Sequence, residues 1–158
     1  MTIKSWTKVG EPVLLANRFG RKLATQTFNN PETQRAEEFS FFAQSDWSVV
    51  LAITEHGDVL VVTQYKQGCA CIIDELPAGT SDFKDEPPQD VAARELRQET
   101  GYQATKMIPL GSGWMATRSS PTQFHCFLAI DCIKVGESRL DANEYIKTKL
   151  VPLDQWIK

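Results

Sequence analysis

No stretch of this 158-residue chain approaches the roughly 18 to 20 consecutive apolar residues that span a bilayer, which argues against a helical membrane protein. The opening MTIKSWTKVGEP lacks the apolar segment of a secretory signal, so a cytoplasmic location is expected. Basic residues are neither abundant nor clustered: 17 Lys and Arg stand against 20 Asp and Glu, a formal net charge of -3. Without a basic patch there is no electrostatic footprint for nucleic acid or an anionic membrane, and neither is expected as a partner. Cysteine is scarce, with four residues, Cys69, Cys71, Cys126 and Cys132. In a reducing compartment these are not expected to form disulfides. Cys69-Ala70-Cys71 has one intervening residue where a zinc knuckle needs two to four. Cys126 and Cys132 lie in an apolar run, where thiols behave as small hydrophobes, and all four read as structural. Repeats, low-complexity tracts and linkers are also missing, so residues 1–158 read as one domain.

What is present is mostly strand. Pro12 to Phe19, Lys22 to Phe28 and Ala36 to Ala43 are short segments with aromatic and branched residues, divided by Gly20 and by Asn29-Asn30-Pro31. Trp47 to Thr54 and Val59 to Lys66 are richer in Val, Ile and Leu, and Glu55-His56-Gly57-Asp58 supplies hairpin chemistry between them. One segment, Pro88 to Thr100, has helical periodicity. Pro87 and Pro88 suit a first turn, Asp85, Glu86 and Asp90 put negative charge at the positive end of the helix dipole, and Gly101 ends it. Lys106 to Met115, Thr122 to Val135 and Tyr145 to Val151 return to strand, with a short helix from Pro152. The pattern is α+β, a helix covering a mixed sheet.

At about 100° per residue, Glu95, Gln98 and Glu99 share one arc of the helix, flanked by Ala92 and Leu96 on the packing edge. Carboxylates one turn apart offer hard oxygen ligands of the kind Mg²⁺ or Mn²⁺ accepts. On their own, acidic residues one turn apart on a helix read as a solvated face. The surrounding string ELPAGTSDFKDEPPQDVAARELRQETGY, Glu75 to Tyr102, decides between the two, because it resembles the Nudix box. Gly79, Glu86, Arg94, Glu95, Leu96, Glu99 and Gly101 match seven of that motif's nine fixed positions. Three features depart from it. Six residues, where the motif has five, separate Gly79 from Glu86; Gln98 stands where the first of two adjacent Glu is expected; and Tyr102 replaces an aliphatic residue. The Gln98 replacement removes a carboxylate from the metal set but leaves Glu95 and Glu99.

The resemblance implies a Nudix fold, a mixed β-sheet sandwiched between helices, with a small N-terminal antiparallel sheet in residues 1–45 and the core in 46–158. It implies a catalytic Mg²⁺ or Mn²⁺ held by Glu95 and Glu99 with help from the Ala78 carbonyl and the Gln98 position. Glu86 and Arg94 would form a structural ion pair, and Gly79 would admit the metal and substrate closely. The reaction would be attack of water on a phosphoanhydride within a nucleoside diphosphate linked to another group. Among the late acidic residues Glu137, Asp141 and Glu144, the last is favoured as the catalytic base, in a loop similar to that of ADP-ribose pyrophosphatases.

Other features resemble the same branch. Glu75-Leu76-Pro77-Ala78-Gly79 is its usual lead-in, and Gln64-Tyr65-Lys66 is similar to a Gln-Tyr-Arg whose cation contacts phosphate, although Lys lacks the bidentate fork. Ser119-Ser120-Pro121-Thr122 resembles its Ser-Pro-Gly loop. Lys66, Glu75, Arg118 and Pro121 are therefore the candidate substrate-binding residues, and Trp114 and Met115 lie beside them. Phe19, Phe28, Phe39, Phe41 and Phe42 fit a core or an interface of a homodimer, the assembly that the branch implies. The expected substrate is ADP-ribose or a nucleotide sugar, cleaved to a nucleoside monophosphate and a sugar phosphate. The alternatives are a hydrolase of nucleoside triphosphates or dinucleoside polyphosphates, and a non-catalytic sensor of a nucleotide metabolite.

Overall fold

The computed structural model describes residues 2–81, 83, 85–142 and 144–158. They form two compact units, one of residues up to Ser45 with Trp114–Gln123, the other of Asp46–Gly113 with Phe124–Lys158.

The first unit is an antiparallel three-stranded sheet in the order β1 (Thr7–Arg18), β2 (Arg21–Asn29), β3 (Ala36–Ala43). Phe19 and Gly20 join β1 to β2 with φ of 50° and 76°, the two positive values that a type I′ hairpin turn requires. β1 begins earlier than its apolar composition suggests and is irregular, with register shifts between Val9 and Val13 and between Leu14 and Ala16. The buried Gln26 amide repairs the first irregularity by donating to the Val9 and Gly10 carbonyls at 3.0 and 3.2 Å. Trp6, Phe28, Phe39 and Phe41 stack edge-on with centroids 5.6 to 6.0 Å apart. Residues 114–123, which carry no sequence signal for this sheet, join it through backbone groups. Phe42 N donates to Ser119 O at 2.8 Å, and the buried Thr122 hydroxyl bonds both the N–H and the carbonyl of Gln44.

The remaining elements are β4 (Trp47–Thr54), β5 (Asp58–Lys66), β6 (Cys71–Glu75), β7 (Ala78–Thr80), α1 (Pro88–Thr100), β8 (Tyr102–Gln103), β9 (Lys106–Ala116), β10 (Ser120–Lys134), β11 (Lys147–Pro152) and α2 (Leu153–Trp156), of which the end of β9 and the start of β10 count with the first unit and the rest with the second. The mixed sheet runs β11-β5-β4-β10-β8, with β6 on β5, β7 on β4 and β9 on β10. β4 and β10 are parallel, which requires a long crossover, and α1 lies within it. β6, β7 and β8 are absent from the sequence expectation because they are two to five residues long and largely exposed, with no apolar alternation to reveal them. Among the described residues no helix is long and apolar enough to cross a membrane.

Alternate residues of β4 point inward, and Val59 to Val62 of β5 are all buried, the signature of a strand covered on both faces. Val50, Ala52, Leu60, Phe127, Ala129 and Cys132 from the sheet pack with Ala92 and Leu96 of α1. Cys132 thus behaves as the small hydrophobe expected. Cys69 and Cys71 do not: both are exposed and outside any core, which corrects their reading as structural.

α1 has the bounds its sequence predicts. Ser48 of β4, itself buried, donates to the Pro88 carbonyl at 2.8 Å and ties the sheet to the first turn. Gly101 adopts φ 77°, caps the Arg97 carbonyl, and offers its own carbonyl to Val135 N and Gly136 N at 2.9 and 3.2 Å. A Cβ at Gly101 would overlap the Gly136 carbonyl oxygen. Gly101→Ala is therefore expected to destabilise the fold by about 2 kcal/mol or more, combining left-handed strain with a backbone clash. Denaturant midpoints read this directly, and a loss below about 0.5 kcal/mol would contradict the cap assignment.

Candidate active site

The helix face carrying Glu95 and Glu99 is turned toward the protein, not toward water. Glu99 is only 4% exposed and sits in the same stripe as Val91, Ala92 and Leu96. Its Oε2 accepts the Ala78 N–H at 3.1 Å, and its main-chain carbonyl accepts the Thr148 hydroxyl at 3.1 Å. Burial pushes the Glu99 carboxyl up to about 8, partly offset by the Ala78 N–H and by Lys66, and reinforced by the charges of Glu95 and Glu144. One buried group thus feels two further carboxylates from a neighbouring helical turn and from the late loop.

Gly79 explains how Glu95 joins it. A Cβ on Gly79 would overlap the Glu95 carboxylate, so glycine lets that carboxylate lie against the main chain and any larger residue would displace it. Ala78 and Gly79 are held in place by β7, whose register pairs Ala78 with Val49 and Gly79 with Ser48.

Arg94 sets the direction of Glu95. Its Nε and Nη2 grip Glu86 at 3.1 and 3.2 Å, Nη1 donates to Glu95 Oε1 at 2.8 Å and to Gln98 Oε1 at 2.9 Å, and Nη2 also reaches the Thr80 carbonyl at 2.8 Å. A guanidinium has five N–H groups, and five acceptors surround this one. The Glu86–Arg94 pair expected from the motif is accompanied by a contact to Glu95 that was not expected. Gln98 faces the guanidinium and serves it as an acceptor. Thr80, absent from the sequence reading, contributes only its carbonyl, which no side-chain pattern could reveal.

Lys66 forms an ion pair with Glu75 at 2.8 Å across the β5–β6 ladder, and Gln64 donates to the same Glu75 oxygen at 3.3 Å. Of the three late-loop acids, Glu137 is exposed beside Lys134, Asp141 is exposed, and Glu144 is the one whose charge Glu99 feels. The Asp141 N–H holds Glu144 Oε2 at 3.0 Å. Arg118 and Pro121 belong to the first unit. Arg118 is exposed, while Pro121 lines a cavity of about 480 Å³ with Trp114, Phe28, Phe41 and Lys8.

Glu99 lies against the Ala78 N–H and Glu95 against Gly79, so two carboxyl groups, one of them buried, meet the same stretch of main chain. That donor chemistry fits a hard divalent cation. Among the described residues no group of three or more His, Cys, Asp or Glu is placed to hold a metal ion.

A family model for the NUDIX domain matches residues 43–157. The chain belongs to the Nudix family. It is 34% identical over 110 residues to an ADP-ribose pyrophosphatase of Bacillus subtilis, covering 69% of this chain and 59% of that one. It is 43% identical over 87 residues to an ADP-ribose pyrophosphatase of Mycobacterium tuberculosis, covering 55% and 42%. A methanol dehydrogenase activator of Bacillus methanolicus is 32% identical over 107 residues, covering 67% and 57%. The chain thus spans about half the length of the curated relatives it matches. The crystal structure of an ADP compounds hydrolase superposes with a TM-score of 0.83 over 99% of this chain and 83% of that one, at 16% identity, which shows the shared Nudix fold.

Glu99 makes stability depend on pH. The folded chain keeps its proton up to about pH 8, whereas the unfolded chain loses it near the ordinary value of 4.5. Stability without a cation is therefore fully present below the ordinary value and falls as pH rises through about 8. Melting curves between about pH 5 and about pH 8 are expected to fall more steeply for the wild type than for Glu99→Gln. Mg²⁺ should recover part of the wild-type loss at the upper end. Parallel curves for the two proteins would remove Glu99 as the titrating group.

Proposed function

We propose that this chain hydrolyses the phosphoanhydride of ADP-ribose, or of a related nucleoside diphosphate sugar, to a nucleoside monophosphate and a sugar phosphate, using Mg²⁺ or Mn²⁺. The observation that carries this reading is the buried Glu99 held by Ala78 N–H, with Glu95, Glu144 and Lys66 all within electrostatic reach of it. The similarity to two ADP-ribose pyrophosphatases supports the substrate.

Glu95 and Glu99 would hold the cation, with the Ala78 carbonyl beside them. Once bound, a divalent cation shields the adjacent phosphate charges and polarises the oxygens that it meets. Glu86 and Arg94 act as positioning residues, because the guanidinium that neutralises one carboxylate also aims the other. Gln98 works through Arg94 in this reading, as an acceptor that keeps the guanidinium in its plane. Glu144, braced by the Asp141 N–H, receives the proton of the attacking water. Lys66 and Glu75, with Arg118 and Pro121, contact the substrate. A polyphosphate carries its negative charge in a row, and Lys66, whose charge Glu99 feels, is a cation that can meet it.

The proposal includes a cytoplasmic homodimer. Support for the dimer comes from β1, whose twelve residues are all exposed and include Val13, Leu14 and Leu15 at 56 to 59%.

ADP-ribose, UDP-glucose, NADH, diadenosine polyphosphates and nucleoside triphosphates, each incubated with Mg²⁺, Mn²⁺ or EDTA, test the reading by product chromatography. Metal-dependent release of AMP and ribose phosphate from ADP-ribose is the expected result. Cleavage of triphosphates or dinucleoside polyphosphates alone would replace the substrate. Thermal stabilisation by one compound without turnover would favour a sensor. Glu99→Gln should lower turnover about 100-fold or more, and Gly79→Ala, which displaces Glu95, about 10- to 100-fold, both with folded, cooperative melting. Full activity in either variant would overturn the ligand assignment.

A further inference from the structure

The turn between β5 and β6 carries Cys69 and Cys71, both exposed and both thiols, with their sulfurs 3.2 Å apart. Ala70 between them adopts φ 53°, a left-handed conformation that a non-glycine residue rarely takes, and this tight turn brings the two side chains to one side. The turn is closed below them by the β5–β6 register, in which Lys66 pairs with Cys71 and Tyr65 with Ile72. Cys71 donates its S–H to Cys69, and Cys69 donates to the Lys66 carbonyl at 3.6 Å.

Two chemistries fit a pair of adjacent thiols, and the separation chooses between them. Two thiolates on one tetrahedral zinc, each about 2.3 Å from the metal, lie about 3.8 Å apart. The sulfurs here are closer than that and have no third or fourth ligand, since no group of three or more His, Cys, Asp or Glu suited to a metal occurs among the described residues. A bond between them requires closure to about 2.05 Å, which small rotations of two exposed side chains supply.

We infer that Cys69 and Cys71 form a redox-active dithiol that closes to a disulfide within this turn by exchange with a low-molecular-weight disulfide. The hydrogen bond holds the proton on Cys71 and raises it above the ordinary thiol value, and Cys69 is the attacking sulfur. The Cys69 thiolate attacks one sulfur of the small disulfide, and the S–S bond electrons leave with the other half as a thiolate. Cys71 then loses its proton, attacks the Cys69 sulfur of the mixed disulfide and expels the second small thiolate. In sum, the protein loses two hydrogens and two electrons as one new S–S bond forms, and the small disulfide is reduced to two thiols. Cys132 is buried within the hydrophobic core and takes no part. The inference is independent of the substrate proposed above, since it rests on the turn alone.

Intact-protein mass spectrometry after incubation of the reduced, full chain with oxidised glutathione reads the step. Wild type is expected to lose the mass of two hydrogens with no retained glutathione, and peptide mapping should find the Cys69–Cys71 link. Cys69→Ser and Cys71→Ser should each stop at a mixed disulfide carrying one glutathione on the remaining cysteine of the pair. Reduced glutathione in excess should restore the starting mass of wild type. Accumulated glutathione adducts on wild type, an intermolecular link, a link through Cys126 or Cys132, or an unreacted pair would each overturn the inference. So would stoichiometric zinc retained by the reduced wild type, lost in both variants and blocking the exchange.

Discussion

Keeping several carboxylates close together within a protein is an electrostatic problem, and the second unit is organised around its solution. Among the described residues Arg94 pairs with Glu86 and Glu95, and Lys66 pairs with Glu75 and lowers the cost of charge at Glu99. Arg94 neutralises the deeply buried Glu86 and still has donors for Glu95, which only the planar fork of a guanidinium provides. Lys66 divides its charge between Glu75 and the field at Glu99. At Glu99, burial and the charges of Glu95 and Glu144 outweigh Lys66 and the Ala78 N–H, and its carboxyl is pushed up to about 8, so at this position the charged form gains from any added positive charge.

Much of this was legible in the sequence because the signals were local. α1 runs from Pro88 to Thr100 as expected, since prolines can open a helix and a glycine in the left-handed region can end one, and both rules act within a few residues. β3 and β4 also kept their expected bounds because alternation of buried and exposed residues is strong in both. Three short strands were missed for the opposite reason. They are defined by the strands they join and not by their own composition, and β7 in particular exists to present main chain to α1.

The same distinction applies to the site. The motif spacing revealed Glu95, Glu99, Arg94 and Gly79, whereas the contacts that give them direction come from groups without a sequence signature. The Thr80 carbonyl at Arg94 and the Ala78 N–H at Glu99 are examples. Gln98 shows the limit of reading by motif: it stands at a position associated with metal binding, and its carbonyl oxygen faces Arg94. Residues 114–123 show the limit of reading by chain order, because their place beside β3 depends on backbone bonds to segments more than seventy residues away.

The loop after β10 is fastened to the end of α1. Val135 and Gly136 bond the carbonyl of Gly101, and the Arg139 N–H donates to the Gln98 carbonyl at 2.7 Å. Up to Arg139 the loop is therefore a continuation of the helix cap. Beyond it Asp141 and Ala142 are exposed, and Glu144 lies within the electrostatic range of Glu99. An insertion or deletion after Arg139 would lengthen or shorten this stretch while the bonds that tie Val135, Gly136 and Arg139 to Gly101 and Gln98, and with them the end of α1, stay in place.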